Sequence, residues 1–405
     1  MGLNDTPRAA RVHIGIFGRR NAGKSSVINA MTGQQTALVS SVKGTTTDPV
    51  YKAMEILPLG PVVLIDTAGI DDEGSLGQMR VQKTMEVMTK TDIALVVIDS
   101  TTGISETETD IIVKLKDKKI PVLGVINKTD IKPLKQEELK ELEEKLGIRI
   151  LPISAETGKG VWELKEAISK MLPDEEVKLS LIGDKVSEGD IIVLVVPIDN
   201  AAPKGRLILP QQQVIRDILD NNAAAIAVKE HQLKDVLKNL VNPPKMVITD
   251  SQAFKKVAAE TPENIPLTSF SIIFARNKGD LAEMVKGARA VENLQDGDKV
   301  LIAEACTHHR QSDDIGSVKI PNWLKKHTGK QLQIDFASGS GFPQDLDKYS
   351  LVIHCGACMI NKKAMKYRIE QAVKAGVPIV NYGVLIAYLH GILDRAIKPF
   401  EQELA

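Results

Sequence analysis

The stretch Gly18-Arg19-Arg20-Asn21-Ala22-Gly23-Lys24-Ser25 decides the fold of the N-terminal part of this chain. It fits G-x-x-x-x-G-K-[ST], follows the apolar run Val12–Phe17 and opens a helical pattern over Lys24–Thr32. Strand, loop and helix in that order are the context this motif needs. Glycines at 18 and 23 let the backbone curl so that the N–H groups from Gly18 through Ser25, Asn21 and Ala22 included, point at phosphate oxygens. Lys24 supplies charge to the β and γ phosphates. Ser25 offers a hydroxyl to Mg²⁺, and the helix N-terminus adds its dipole.

Working outward, residues 11–172 alternate between strand-like and helix-like runs. Strands are predicted at Val12–Phe17, Tyr51–Leu57, Val62–Asp66, Ile93–Asp99, Ile120–Asn127 and Ile148–Ser154. Helical patterns cover Lys24–Thr32, Gln78–Thr91, Glu106–Lys119, Gln136–Leu146 and Val161–Met171. Tyr51–Leu57 and Val62–Asp66 are joined by a short Pro-Leu-Gly-Pro link, which predicts an antiparallel pair. The remainder reads as βαβ units on a mostly parallel sheet. The Glu/Lys-rich run Lys135–Lys145 has helical spacing and reads as the solvated face of a surface helix.

Further nucleotide motifs fall at the ends of these strands. Asp66-Thr67-Ala68-Gly69 gives an acid that can hold Mg²⁺ through water and an N–H at Gly69 for the γ-phosphate. Gly44-Thr45-Thr46-Thr47-Asp48 has the position of a segment whose threonine closes on Mg²⁺ when GTP is bound. Thr46 is the expected ligand, and spacing also allows Thr45 or Thr47. In Asn127-Lys128-Thr129-Asp130, the Asp130 carboxylate can accept guanine N1–H and the 2-amino group, and the Lys128 stem can cover the base. Adenine lacks both donors and would leave a buried charge unpaired. Ser154-Ala155 can place an N–H on guanine O6. Each tetrapeptide is weak alone; together, in this order and at strand ends, they point to GTP/GDP with Mg²⁺.

Pro173-Asp-Glu-Glu marks a boundary, after which the alternation restarts. The expected architecture is a P-loop α/β domain over residues 8–173, followed by two smaller α/β domains at 177–268 and 269–405. Strand candidates beyond the boundary include Ile191–Val196, Ala224–Val228, Lys245–Thr249, Ser269–Phe274, Lys299–Ala303, Leu332–Phe336, Leu351–Ile353 and Val377–Asn381. Helices are predicted at Gln213–Asn221, Gln232–Leu240, Ser251–Glu260, Lys278–Ala290, Trp323–Thr328, Lys362–Ala375 and Gly383–Asp394.

The 405 residues carry 52 basic and 52 acidic side chains, so no global field draws the protein to nucleic acid or to an anionic membrane. Aromatics are only 3%, which leaves the cores to Ile, Val, Leu and Ala. Apolar stretches such as Ile191–Pro197 are too short to span a bilayer, and the N-terminus lacks a signal-peptide core. The expectation is a cytoplasmic protein with no membrane and no nucleic-acid partner.

Three cysteines, Cys306, Cys355 and Cys358, are too few and too uneven for a disulfide framework. They occur as Cys306-Thr307-His308-His309 and His354-Cys355-Gly356-Ala357-Cys358, each after an apolar strand. If those strands are parallel neighbours, their C-terminal ends form one site. Three thiolates with C-x-x-C spacing suit zinc completed by histidine or an iron–sulfur cluster. Buried inert cysteines and a reversible Cys355–Cys358 redox switch are the alternatives. His13, His231, His327 and His390 read as structural or surface residues.

The order Gly18–Ser26, Gly44-Thr-Thr, Asp66-Thr-Ala-Gly-Ile70, Asn127–Asp130 and Ser154-Ala155 resembles the TrmE–Era–Der branch of GTPases. Ile70 stands where Ras-like enzymes carry a water-positioning glutamine, which implies slow hydrolysis. An asparagine at the Asn21 position implies a K⁺ ligand that replaces an arginine finger. Joined to a C-terminal C-x-H…H-C-x-x-C, the whole chain resembles the HydF family of FeFe-hydrogenase maturation GTPases. That resemblance implies a 4Fe–4S cluster on Cys306, Cys355 and Cys358, with His308, His354 or Glu304 as candidate fourth ligands. It also implies a homodimer formed by the middle domain, and a scaffold that carries the diiron subcluster precursor from radical-SAM maturases to apo-hydrogenase. A TrmE/Era-like GTPase acting on RNA or the ribosome is the competing expectation.

Overall fold

A computed structural model of the chain describes residues 11–33, 49–57, 59–67, 83–172, 180–197, 207–305, 314–339, 342–343, 345–357 and 360–404. They fall into two compact units, divided between Lys178 and Leu179.

The first unit is built on six strands: β1 (Val12–Phe17), β2 (Val50–Ile56), β3 (Gly60–Asp66), β4 (Ile93–Asp99), β5 (Val122–Asn127) and β6 (Ile150–Pro152). Their order is β2-β3-β1-β4-β5-β6. Only β2 is antiparallel, paired with β3 from Val50↔Asp66 to Ile56↔Gly60, as the short link predicts. All seven residues of β4 are buried. A strand covered on both faces needs this continuous apolar run. Its period of two divides the side chains: Ile93, Leu95 and Val97 enter one core, and Ala94, Val96 and Ile98 enter the other. Helices Lys24–Thr32, Glu106–Asp117, Gln136–Leu146 and Val161–Ser169 cover these faces. Helix Gln136–Leu146 buries only Leu146, as expected of a solvated surface helix.

The second unit carries two parallel sheets. One comprises β7 (Ile191–Val195), β8 (Ala224–Val228), β9 (Met246–Thr249) and β10 (Leu267–Ser269), ordered β10-β9-β7-β8. The other comprises β11 (Lys299–Glu304), β12 (Gln333–Ser338), β13 (Leu351–His354) and β14 (Ile379–Asn381), ordered β12-β11-β13-β14. One continuous apolar core runs through both, from Leu181 to Phe400.

Two sequence expectations are corrected here. The run Ser269–Phe274 is not a strand: β10 ends at Ser269, and a helix occupies Phe270–Lys278. The Ser269 hydroxyl accepts the Ile272 N–H at 3.3 Å and caps the helix start. Phe270, Ile272, Ile273, Phe274 and Ala275 are all buried. A helix buried all round has no 3.6-residue signature to read. The last predicted helix, Gly383–Asp394, is two helices, Tyr382–Leu389 and Leu393–Ile397. Gly391, at φ 71°, breaks it in the left-handed region.

Candidate functional site

The phosphate loop leaves β1 at Gly18. That residue has φ 141°, and a Cβ there would meet the Val97 carbonyl oxygen at 2.3 Å. Gly23, at φ 89°, precedes the helix, and a Cβ there would meet Asn127 Nδ2 at 2.3 Å. Both positions therefore exclude any side chain, for conformational and for steric reasons. Lys24 is buried, and its ammonium donates to the carbonyls of Gly18 at 2.9 Å and Arg19 at 2.7 Å. It thus closes over the concave side of the loop, where phosphate oxygens would take the place of those carbonyls.

Ser25, in the first turn of the helix, donates its hydroxyl to Asp66 Oδ2 at 2.6 Å. The two residues expected to serve Mg²⁺ are thus in direct contact across β1 and β3. Burial raises the Asp66 pKa, against the lowering effects of the Ser25 bond, Lys24 and Lys52. A carboxylate short of solvation and aimed at a hydroxyl fits a site completed by a hard cation. Thr46 and Gly69 lie outside the described residues, as does Ile70.

The segment Asn127–Asp130, expected to read the base, leaves β5. Asn127 is buried; its Nδ2 donates to the Ala22 carbonyl at 3.3 Å, and its Oδ1 accepts the Ala155 N–H at 3.0 Å. One side chain thereby links the phosphate loop to the Ser154-Ala155 turn. Lys128, at φ 65°, sends its ammonium to the Asn21 carbonyl at 2.8 Å and to Asp99 Oδ2 at 2.6 Å. Its stem spans the interval between the two motifs. Asp99 is held below the usual carboxylate range despite burial, by hydrogen bonds from Lys128 and Thr101 and by the Lys128 charge. Asp130 is exposed, and its carboxylate has no hydrogen-bond partner among the described residues. Ser154 is buried, and its hydroxyl accepts the Thr157 N–H at 3.1 Å, shaping the turn that presents the Ala155 amide.

Sequence reading missed Asp99, and also an anchor of the phosphate loop. Arg19 Nε donates to Glu108 Oε1 at 2.7 Å, and its Nη2 donates to the Gly103 carbonyl at 2.6 Å. Glu108 is fully buried and also takes the Ser105 N–H at 2.9 Å and the Ser105 hydroxyl. Ser105-x-x-Glu108 has the form of a helix capping box, the one signal that marked Glu108 in the sequence.

In the second unit, β11 and β13 are parallel neighbours, with Ala303 opposite His354. Glu304, Ala305 and Cys355 therefore lie side by side at the strand ends. The Cys355 N–H donates to the Ala303 carbonyl at 2.9 Å, and the Ala305 N–H donates to Cys355 Sγ at 3.1 Å. Glu304 is buried, and its Oε1 accepts the Tyr382 hydroxyl at 3.3 Å. Burial, then the Glu304 and Cys355 charges, push the Tyr382 pKa far up, so Tyr382 remains a donor.

His354 is fully buried, with its Nδ1 on the Cys355 carbonyl at 2.8 Å and its Nε2 on Arg368 Nη1 at 2.8 Å. Arg368 can only donate, so Nε2 accepts and the ring proton is on Nδ1. Burial and the Arg368 charge push the His354 pKa down to about 3. With both nitrogens engaged, the ring braces the cysteine loop and offers no free nitrogen as a fourth ligand. Cys306, His308, His309 and Cys358 lie outside the described residues, among which no three His, Cys, Asp or Glu side chains converge.

Among the described residues no helix is long and apolar enough to cross a membrane. The GTPase region, residues 13–128, matches a family model described as 50S ribosome-binding GTPase. Among curated proteins, the chain is 36% identical over 166 residues to tRNA modification GTPase MnmE of Clostridioides difficile. It is 34% identical over 173 residues to GTPase Der of Wolinella succinogenes. Each alignment covers 40% of this chain, and only 35% and 36% of those proteins, about a third of their length. A solved structure of Aquifex aeolicus Era bound to GDP·AlF4⁻ is 22% identical, covering 56% of this chain and 97% of its own, with a TM-score of 0.37. Residues 181–279 match the hydrogen maturase F dimerization domain and residues 282–399 its tetramerization domain. The chain therefore carries regions named for oligomer assembly behind a GTPase domain of the TrmE–Era–Der branch that binds GTP/GDP and Mg²⁺. With more than half of its length matched in this way, it belongs to the HydF family of hydrogen maturases.

Proposed function

We propose that this maturase is a GTP-regulated scaffold, which holds a 4Fe–4S cluster on Cys306, Cys355 and Cys358 and carries the precursor of the FeFe-hydrogenase diiron subcluster. The observation that carries the reading is the parallel pairing of β11 and β13. It sets Cys355 beside Ala305, the residue before Cys306, with the Ala305 amide donated to Cys355 Sγ. N–H···S bonds to ligand sulfur are a means by which proteins tune iron–sulfur clusters. Glu304, buried on the same strand end, and His308 are the candidates for the fourth iron position, with His354 braced by its own bonds. The cluster would supply three firmly held iron sites and one exchangeable site able to bridge to cargo. Radical-SAM maturases are the proposed donors and apo-hydrogenase the recipient, in the cytoplasm.

At the other site the proposed reaction is slow GTP hydrolysis. Lys24 neutralises the β and γ phosphates, Ser25, Asp66 and Thr46 serve Mg²⁺, and Asp130 selects guanine. Ile70 offers no group to orient water. Asn21 is proposed as a ligand of a K⁺ ion, which would supply positive charge to the transferring phosphoryl group. The ribosome- or RNA-directed reading finds support only in the GTPase region, because the regions after it match hydrogen maturase F.

The test is anaerobic reconstitution of the full chain with iron and sulfide, followed by bound-metal analysis and visible spectroscopy. A brown chromophore lost in Cys355→Ser, with GTP turnover retained, is expected. A colourless protein with stoichiometric zinc would overturn the reading.

A further inference from the structure

We infer that Arg368 is the built-in counter-cation of the Cys355 site, raising the reduction potential of a metal cluster held there. The inference rests on the cluster reading above.

Arg368 lies on the helix Lys362–Lys374, which begins directly after the cysteine loop, with Asn361 accepting the Ala364 N–H at its start. Its guanidinium is buried, at 7% exposure, whereas Lys362 and Lys366 of the same helix are exposed. Its hydrogen bonds go to neutral groups, His354 Nε2 at 2.8 Å and the Gly339 carbonyl at 2.7 Å, and it stacks over the Phe342 ring at 5.1 Å. No carboxylate pairs with it among the described residues. A second buried cation, Lys278, donates to the Ala357 and Ile360 carbonyls of the same loop, at 3.2 Å each.

A buried arginine is costly unless an anion offsets its charge. Hydrogen bonds to an imidazole nitrogen and a carbonyl do not require that charge, since a neutral amide makes them as well. Burial disfavours the charged guanidinium, and the acidic side chain reached from it through the His354 ring is that of Cys355, whose carbonyl the same ring holds. A metal cluster on three thiolates is an anion, and it gains one further negative charge on reduction. A fixed cation in a low-dielectric setting stabilises the reduced form more than the oxidised form. Arg368 also orients the ring of His354, whose Nδ1–H holds the Cys355 carbonyl, so one side chain sets both the charge and the posture of the loop.

The experiment uses full-length protein reconstituted anaerobically with iron and sulfide, as wild type, Arg368→Gln and Arg368→Lys. Bound iron is measured, and the midpoint potential is followed by electron paramagnetic resonance. In Arg368→Gln the equilibrium constant for one-electron reduction should fall at least tenfold, a shift of at least 59 mV to more negative potential. Arg368→Lys, which keeps the charge but loses the planar fork, should remain near wild type. A Gln variant that loads iron with an unchanged potential overturns the inference alone. If Gln fails to load, a loaded Lys variant at wild-type potential supports it. Failure of both, or a Lys variant displaced from wild type in the same direction, assigns Arg368 a purely structural role. Wild-type protein that takes up no cluster overturns the parent reading as well.

Discussion

Ser25 Oγ and Asp66 Oδ2 are in contact at 2.6 Å, so the two groups proposed to serve Mg²⁺ satisfy one another. Burial raises the Asp66 pKa even with that bond in place. The carboxylate is therefore less comfortable ionised in the folded chain than in the unfolded one. The sign follows from linkage: a raised acid pKa destabilises the fold as pH rises through the unfolded value, roughly 4, and the cost persists at neutral pH. Asp66→Asn should leave the thermal midpoint of nucleotide-free protein at pH 7 unchanged or higher, while wild type and variant converge towards roughly pH 4. Mg²⁺ affinity in the presence of GTP should fall about 10–100-fold, as for loss of a group that orients a metal ligand. A variant that melts lower at pH 7 without Mg²⁺ would contradict this account.

Asp130 and Asn127 separate base choice from site assembly. Asp130 is exposed with no protein partner among the described residues, so Asp130→Asn should fold normally and shift preference from GTP towards xanthosine triphosphate. Asn127→Ala instead leaves the Ala155 N–H and the Ala22 carbonyl without their shared partner. It should weaken GTP and GDP alike, by about 1–3 kcal/mol, with no gain for the xanthine nucleotide. Calorimetric titration with all three nucleotides distinguishes the two effects, and unchanged GTP affinity in Asp130→Asn would show the base contact to be misassigned.

The motifs of the candidate nucleotide site are legible in the sequence because their chemistry is local. Lys24, Ser25, Asp66, Asn127 and Asp130 each stand in a short motif at a strand end, and strand ends follow from apolar runs. Arg19 stood at a variable position of its motif, and its partner Glu108 lies 89 residues away, so only the capping-box spacing hinted at it. Arg368 was not legible at all. It follows Lys362, Lys363 and Lys366, and nothing in that basic helix distinguishes a buried guanidinium from solvated ammoniums. The sequence leaves the pairing of β11 with β13 a condition rather than a result, because parallel strands are brought together by crossovers and not by a hairpin link. Ser269–Phe274 reads as a strand because its residues are apolar apart from the two serines, while the polar Arg276 and Asn277 of the helix Phe270–Lys278 lie beyond it.

Arg19 and Glu108 should behave as a structural pair with an asymmetric response. Glu108 is fully buried, and Arg19 supplies its cation at 2.7 Å. Removing the arginine strands a buried carboxylate, a change that costs about 3–5 kcal/mol for buried pairs, with partial access of water to Arg19 favouring the lower end. Glu108→Gln removes the charge and keeps one acceptor oxygen, for Arg19 or for the Ser105 N–H but not for both, so it should cost less than stranding a buried carboxylate. Denaturant unfolding of Arg19→Ala, Glu108→Gln and the double variant forms a cycle whose coupling energy should exceed that of an exposed ion pair, about 1 kcal/mol or less. Additivity across the cycle would show that the pair does not anchor the phosphate loop.

Asn21 is the residue proposed to make GTP turnover depend on the monovalent cation. Its backbone is held in the left-handed region, φ 62°, a conformation that asparagine tolerates better than most residues. Lys128 Nζ pins its carbonyl at 2.8 Å, while the residue itself is exposed. Among the described residues the side-chain amide has no hydrogen-bond partner, and its oxygen is the proposed ligand of a weakly hydrated monovalent cation beside the phosphates. Wild-type GTP turnover should be faster in K⁺ than in Na⁺ at equal ionic strength. Asn21→Ala should abolish that difference while nucleotide affinity changes only a few-fold, because the pinned carbonyl is retained. Equal wild-type rates in the two salts would remove the basis for a cation at this position, and a large loss of GDP affinity in Asn21→Ala would make the residue structural.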